Sequence, residues 1–308
     1  MYDARTGLIW IALLTALAGA AIAWACAPRI IEMLLQTLGP RVNYRRRPTS
    51  FPAGLALILG AVGGPVVAMV VSPQAWAGPL WPARAASLIL TLGFGLAGLV
   101  DDLLGGHDHS GFRGHLGAMR RGVVTTGVFK IAVGVVISVG AVSVLKTATW
   151  AAGAIAPARV SVLSLAQLAL DSALIAASAN LINLLDRRPG RAIKGFLLGA
   201  AGAVVWTVLS RGADVAFQAV ASCAGVVGSA IAILPLDLGE QAMLGDTGSN
   251  PLGAALGLLL LYLAPGARIV LLALAIWLTL TSERVSFSQA IDSNKVLRFL
   301  DRMGRKDP

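Results

Sequence analysis

Apolar runs long enough, or nearly so, to cross a lipid bilayer recur along the chain at residues 8–27, 52–72, 84–100, 124–145, 163–185, 195–210, 215–235, 251–264 and 267–281. A helix rising 1.5 Å per residue needs about 20 apolar residues to cross a hydrocarbon layer of about 30 Å. No water is available there, so each backbone N–H and C=O must be paired within the protein, and a continuous apolar run meets that demand as a helix. Only 13% of the 308 residues are charged, about half the share of a soluble domain. The chain is therefore read as an all-α polytopic membrane protein, a bundle of about nine transmembrane helices over residues 1–281. The 251–281 region is alternatively one broken or re-entrant unit around Pro265-Gly266. The first run is expected to be a retained span rather than a cleaved signal, because more apolar runs follow it.

The net charge of +10 has a location that matters more than its size. Basic residues sit in short loops between apolar runs, not in an aromatic-rich polar domain, which argues for topology signals and lipid headgroups and against nucleic acid. All Lys and Arg except Arg5, Arg84, Lys146, Arg159, Arg211 and Arg268 fall in alternate loops beginning with 28–51. That asymmetry predicts a multi-pass cell-membrane protein with its N-terminus outside and its C-terminus in the cytoplasm. Residues 282–308 read as a cytoplasmic amphipathic tail, with Ile291, Val296, Leu297, Leu300 and Met303 at helical spacing over 286–304. Cys26 and Cys223 lie inside apolar runs and read as small hydrophobes. Small-residue stretches such as Gly60-Ala-Val-Gly63-Gly64 and Gly199-Ala-Ala-Gly202 predict close helix packing in a compact bundle; a homodimer is left open as a partner.

Acidic groups gather at the mouths of these runs, on the side predicted to be cytoplasmic. They are Asp101-Asp102, Asn180-x-x-Asn183-x-x-Asp186, Asp237-x-x-Glu240 and Gly245-Asp246-Thr247-Gly248-Ser249. Each acid beside a membrane core is costly unless it is hydrated, paired or bound to metal. Asp101-Asp102 reads either as a charged site or as a solvated helix end, since adjacent residues point about 100° apart. Asn180, Asn183 and Asp186 fall within one band of a helix, drifting about 60° per step. They read as interhelical glue or as ligands for a hard cation or a base edge. Arg187, Arg188 and Arg191 follow directly and suit a phosphate-and-metal ligand. The Gly-Asp-Thr-Gly-Ser stretch offers backbone N–H groups to an anion and a carboxylate to magnesium. His107, His109 and His115 read as a solvated loop.

Three of these motifs together resemble one membrane family. Gly98-Leu-Val-Asp-Asp-Leu-Leu-Gly105, Asn180-Leu-Ile-Asn-Leu-Leu-Asp186 with Gly190, and Leu244-Gly-Asp-Thr-Gly-Ser249 with Leu252-Gly253 are similar in order and spacing to the polyprenyl-phosphate N-acetylhexosamine-1-phosphate transferases. That family includes the phospho-MurNAc-pentapeptide translocases and the GlcNAc-1-phosphate transferases. Arg47-Pro-Thr-Ser-Phe-Pro-Ala-Gly54 resembles its early cytoplasmic loop, and Lys130 its lysine downstream of the aspartate pair. The resemblance runs from about residue 40 to 260.

The resemblance implies cytoplasmic active-site loops and transfer of a sugar-1-phosphate from a UDP-sugar to a polyprenyl phosphate, with UMP leaving. Asp246 would bind Mg²⁺ (or Mn²⁺) with Asn183, and Asp101 would approach the lipid phosphate as base or orienter, with Asp102 beside it. Asp186 would help place the nucleotide or metal, and Lys130 with Arg45, Arg46 and Arg47 would hold phosphates. Asn180, Arg187, Arg188, Arg191 and Met243 complete the expected substrate-binding set, Met243 standing where the translocases carry an aromatic residue. Pro189 replaces a second family acid, and 282–289 holds no histidine where the family carries a cluster. These departures fall on sugar and uracil recognition and leave the metal-and-diphosphate motif intact. Two rival readings remain: a silent relative acting as a membrane partner, and a transporter or flippase using the acids as ion relays.

Overall fold

Apolar sequence becomes helix nearly everywhere it was expected to. The computed structural model describes residues 4–73, 78, 80–105, 125–151 and 161–305. The loop bearing His107, His109 and His115 lies outside the described residues. In chain order the elements are α1 (Ala4–Leu38), β1 (Arg41–Val42), β2 (Pro48–Thr49), α2 (Gly54–Val71), α3 (Trp81–Leu104), α4 (Thr126–Ala151), α5 (Val162–Leu185) and α6 (Arg191–Arg211). They continue as α7 (Ala213–Ser222), α8 (Ala224–Leu238), α9 (Asp246–Leu260), α10 (Pro265–Ser282), α11 (Phe287–Ser293) and α12 (Lys295–Arg302). Among the described residues the only sheet is the two-stranded antiparallel β1–β2 hairpin.

Among the described residues seven helices, or eight if a bent pair is one span, are long and apolar enough to cross, against about nine expected. α1 to α6 and α10 are long and apolar enough to cross, and α7 with α8, bent by 64°, would make one more. The run expected as a single span over 215–235 is thus broken, at Cys223. There the Ser222 hydroxyl bonds back to the Ala219 carbonyl at 2.6 Å, an interruption of the kind that bends helices.

The expected span 251–264 falls in α9 and the turn after it; α9 is a 15-residue helix about 22 Å long, shorter than a usual span. Every residue from Thr247 to Leu259 is buried. α9 is therefore an interior helix that α5 and α3 pack around, and it ends before Pro265, where α10 begins. Its antiparallel register against α5 sets Ser249 beside Asn183, Gly253 against Ala179 and Gly257 against Ile175, one turn per step.

Small residues bring helix backbones together as expected in α2, but not throughout α6. A Cβ on Gly60 would lie 2.3 Å from the Gly19 carbonyl oxygen of α1, whereas Gly202 faces open space. α1 also runs eleven residues past the expected span, to Leu38, with an exposed Arg29–Glu32 pair near its end. The tail is two short helices rather than one. The Asn294 side chain accepts the amides of Val296 and Leu297 at 3.0 and 3.1 Å, so it starts a new helix instead of continuing the old one.

Candidate functional site

The site is built where three loop regions meet the start of α9. Asn43 closes the β1–β2 turn by accepting the amides of Arg45 and Arg47 at 2.9 and 3.0 Å, an Asx-type bond that suits the left-handed Arg46. The chain that follows is stitched to residues 242–244. Met243 donates to the Ser50 carbonyl, Ala53 to that of Met243 and Gly54 to that of Leu244, at 2.8–2.9 Å. Gly245 then takes φ +74°, a left-handed turn that aims Asp246 into the first turn of α9.

Asp102 secures that helix start. Its carboxylate accepts the Asp246 amide at 3.0 Å and the Thr247 amide and hydroxyl at 2.8 and 2.6 Å. These are orphan donors of an α-helix N-terminus, satisfied by a side chain from another helix. The approach is possible because Gly98, one turn earlier in α3, has no side chain; a Cβ there would lie 2.3 Å from the Asp246 carbonyl oxygen. Asp102 is buried, and its oxygens are engaged in holding α9. The sequence reading set it beside Asp101 as a catalytic candidate; here its carboxylate holds the start of α9, and the residue also lines the adjoining cavity.

Asp101, one residue earlier, points elsewhere, as the 100° step of a helix requires. Its carboxylate receives Lys130 Nζ at 3.0 Å, and the same ammonium bonds Asp246 Oδ2. Asn183 donates to that Asp246 oxygen at 3.0 Å and accepts from Ser249 at 3.2 Å. Four helices, α3, α4, α5 and α9, thus converge on one part-exposed group of Asp101, Lys130, Asn183 and Asp246.

A cavity of about 160 Å³ adjoins the group, with Asp102, Asp186, Asp237, Glu240 and Asp246 on its wall and Arg187 and Arg188 at its edge. Asp186 ends α5. Burial, then the nearby charges of Asp237, Asp246 and Asp102, push its carboxyl well above the ordinary value, against the opposing hydrogen bond from the Gly245 amide. Asp237 and Glu240, unassigned from sequence, fasten the walls. Asp237 accepts the Gly190 amide at 2.8 Å, while Glu240 accepts Asn43 Nδ2 at 2.9 Å and pairs with Arg45 at 3.2 Å.

The other expected substrate-binding residues divide. Met243, Arg187 and Arg188 line the cavity; Arg46 and Arg47 are exposed on the hairpin, and Arg45 is committed to Glu240. Arg188 also pairs with Asp292 of the tail at 2.8 and 3.2 Å. Arg191 is buried in a two-bond pair with Asp301, at 2.8 and 2.9 Å, and donates to Ser288 at 2.9 Å. Lys194 completes the attachment by bonding the last carbonyls of α12, and Arg305 bonds the Pro189 carbonyl. Arg191 therefore binds the tail, and the tail caps this end of the bundle. Asn180 turns from the site and donates to Thr279 of α10 at 3.1 Å, because two 60° steps carry it off the face of Asp186.

Asp101, Asp186 and Asp246 are the carboxylates here that could help to hold a divalent cation. Among the described residues no three His, Cys, Asp or Glu side chains gather as a chelating group. Mg²⁺ is commonly held by only one or two carboxylates, with waters and substrate phosphates supplying the rest. Asp101 and Asp246 share one cation already, the Lys130 ammonium, and Asp186 stands on the wall of the adjoining cavity with Asp246.

One acid escaped the sequence reading. Asp171, in the apolar run of α5, is buried and held by Lys146 and Arg268 near the opposite helix ends. An aspartate within Leu168-Ala-Leu-Asp-Ser-Ala-Leu174 was the available signal. No family model matches the sequence.

Proposed function

We propose that the chain transfers a sugar-1-phosphate of N-acetylhexosamine type from a UDP-sugar to a polyprenyl phosphate. The observation that carries this reading is the Lys130 ammonium shared by Asp101 and Asp246 at the edge of an acid-lined cavity with arginines at its rim. A lipid phosphate oxygen bonds to the β-phosphorus of the UDP-sugar, the bridging bond to the α-phosphate breaks, and UMP leaves with the electron pair. Such phosphoryl transfer needs positioning and charge compensation more than covalent chemistry. Asp101 orients or deprotonates the incoming lipid phosphate, while Lys130, Arg187 and Arg188 hold phosphate oxygens. Asp102 acts through α9, keeping Asp246 in register.

Mg²⁺, or Mn²⁺, would be held by Asp246 with Asn183, close to Asp186. When bound, it offsets the charge of the diphosphate and of the departing UMP. The orientation with N-terminus outside and the site in the cytoplasm follows from the Lys and Arg asymmetry, and it gives the site access to a soluble nucleotide sugar. The test is purified protein with radiolabelled UDP-GlcNAc, undecaprenyl phosphate and Mg²⁺, extended to other UDP-amino sugars. A lipid-linked product and released UMP, abolished by a chelator, are expected. No product with any UDP-amino sugar, together with an Asp246→Ala variant that has no phenotype, would sink the enzyme reading.

A further inference from the structure

The last helix of the tail is amphipathic the wrong way round for a solvated cap. In α12, Asp301 faces the bundle and pairs with Arg191, while Val296, Phe299 and Met303 form a stripe at i, i+3 and i+7 that points outward. Phe299 is 68% exposed and Val296 67%. Steps of 100° set Asp301 about 140° round from Val296, so the ion pair and the apolar stripe occupy different faces of one helix. A cap bathed in water would gain by turning these apolar side chains inward and the charge outward. Lys295 and Arg302, both exposed, lie seven residues apart and border the stripe on the side of Phe299.

The position of α12 decides what meets this face. At the start of the tail, α10 exposes Trp277 and Leu280 near its end at Ser282, and α11 begins five residues later. At the other end, Lys194 Nζ bonds the carbonyls of Leu300 and Met303 at 2.9 and 3.2 Å. Lys194 heads the row Leu198, Ala201, Val205 and Leu209, the exposed stripe that α6, a helix long enough to span, turns to lipid. The tail therefore leaves one lipid-facing helix and ends one turn from the lipid-facing stripe of another. We propose that the outer face of α12 lies in the headgroup layer of the same membrane, with Val296, Phe299 and Met303 at the acyl boundary and Lys295 and Arg302 against anionic lipid phosphates. An apolar stripe with a basic border suits an anionic bilayer surface. A second copy of the same face would instead bring basic residues against basic residues.

The experiment uses the full chain carrying Phe299→p-benzoylphenylalanine and, in a second preparation, Val296→p-benzoylphenylalanine. Each is reconstituted into phosphatidylcholine vesicles with or without phosphatidylglycerol and irradiated, and the mass of the labelled peptide identifies what it captured. A phospholipid adduct is expected at both positions, several-fold more abundant with phosphatidylglycerol and reduced by high salt. Adding Lys295→Glu and Arg302→Glu together should return the yield to the phosphatidylcholine level, with the thermal midpoint unchanged because both side chains are exposed. A crosslink to a second copy, no lipid adduct at either position, or a yield indifferent to phosphatidylglycerol or to the charge reversal would overturn the proposal.

Discussion

Asp102 accepts both the amide and the hydroxyl of Thr247, at 2.8 and 2.6 Å, across 145 residues of sequence. Through that contact one helix end supplies the missing partners of another helix's start. Asp246, adjacent to Thr247, is held facing Lys130 as a result. Of two neighbouring aspartates, one holds the frame and the other meets the cation.

That division predicts opposite phenotypes for the pair. Asp102→Ala leaves the Asp246 and Thr247 donors buried and unmet, so the protein should lose roughly 2–4 kcal/mol. A lowered thermal unfolding midpoint in detergent is the measurement. Asp101→Ala should leave the midpoint near its original value.

Activity should follow the other aspartates. Asp101→Asn and Asp246→Asn are each expected to cut turnover by about 10²-fold or more while the protein inserts normally, in keeping with the usual weight of a positioned acid–base or charge-stabilising group. Quantifying lipid-linked product at matched protein levels checks this. Undiminished turnover in either variant removes that residue from the site.

Gly98→Ala tests the close approach of α3 to α9. The added methyl would sit 2.3 Å from a backbone oxygen that Asp102, four residues on, prevents from moving away. Overpacking of this kind costs about 1–3 kcal/mol. Stability and product formation should therefore fall together in Gly98→Ala, and an unchanged midpoint would show that the helices can separate at no cost.

Tail docking should depend on acid. Burial raises the Asp301 carboxyl, but the Arg191 hydrogen bonds and the charges of Arg191, Arg305 and Lys194 outweigh this, leaving it below its ordinary value. A depressed carboxyl stabilises docking above the unfolded value of about 3.9 and loses that contribution as pH falls through the folded value. Hydrogen-exchange protection factors over 287–302 should therefore stay high at neutral pH and fall below about pH 4. In Asp301→Asn protection should already be low at neutral pH, with the acid-dependent change gone.

The helical character of the chain was legible from apolar run length alone, because an unpaired backbone has no solvent in a bilayer. Asp101, Asn183, Asp186 and Asp246 were legible as polar groups at the ends of such runs, where burial is costly. Run length says nothing about what surrounds a helix, so only the packing showed that α9 is buried inside the bundle. Spacing could not separate Asp101 from Asp102, nor Asn183 from Asn180, since each pair shares residue type and differs only in the neighbour it meets. The arginines after Asp186 were visible as charge, yet only the tertiary structure joined Arg191 to Asp301, 110 residues away, and left Arg187 and Arg188 at the cavity. Composition and period are local properties of the chain; the partner of a buried charge is decided by which helix ends the fold brings together.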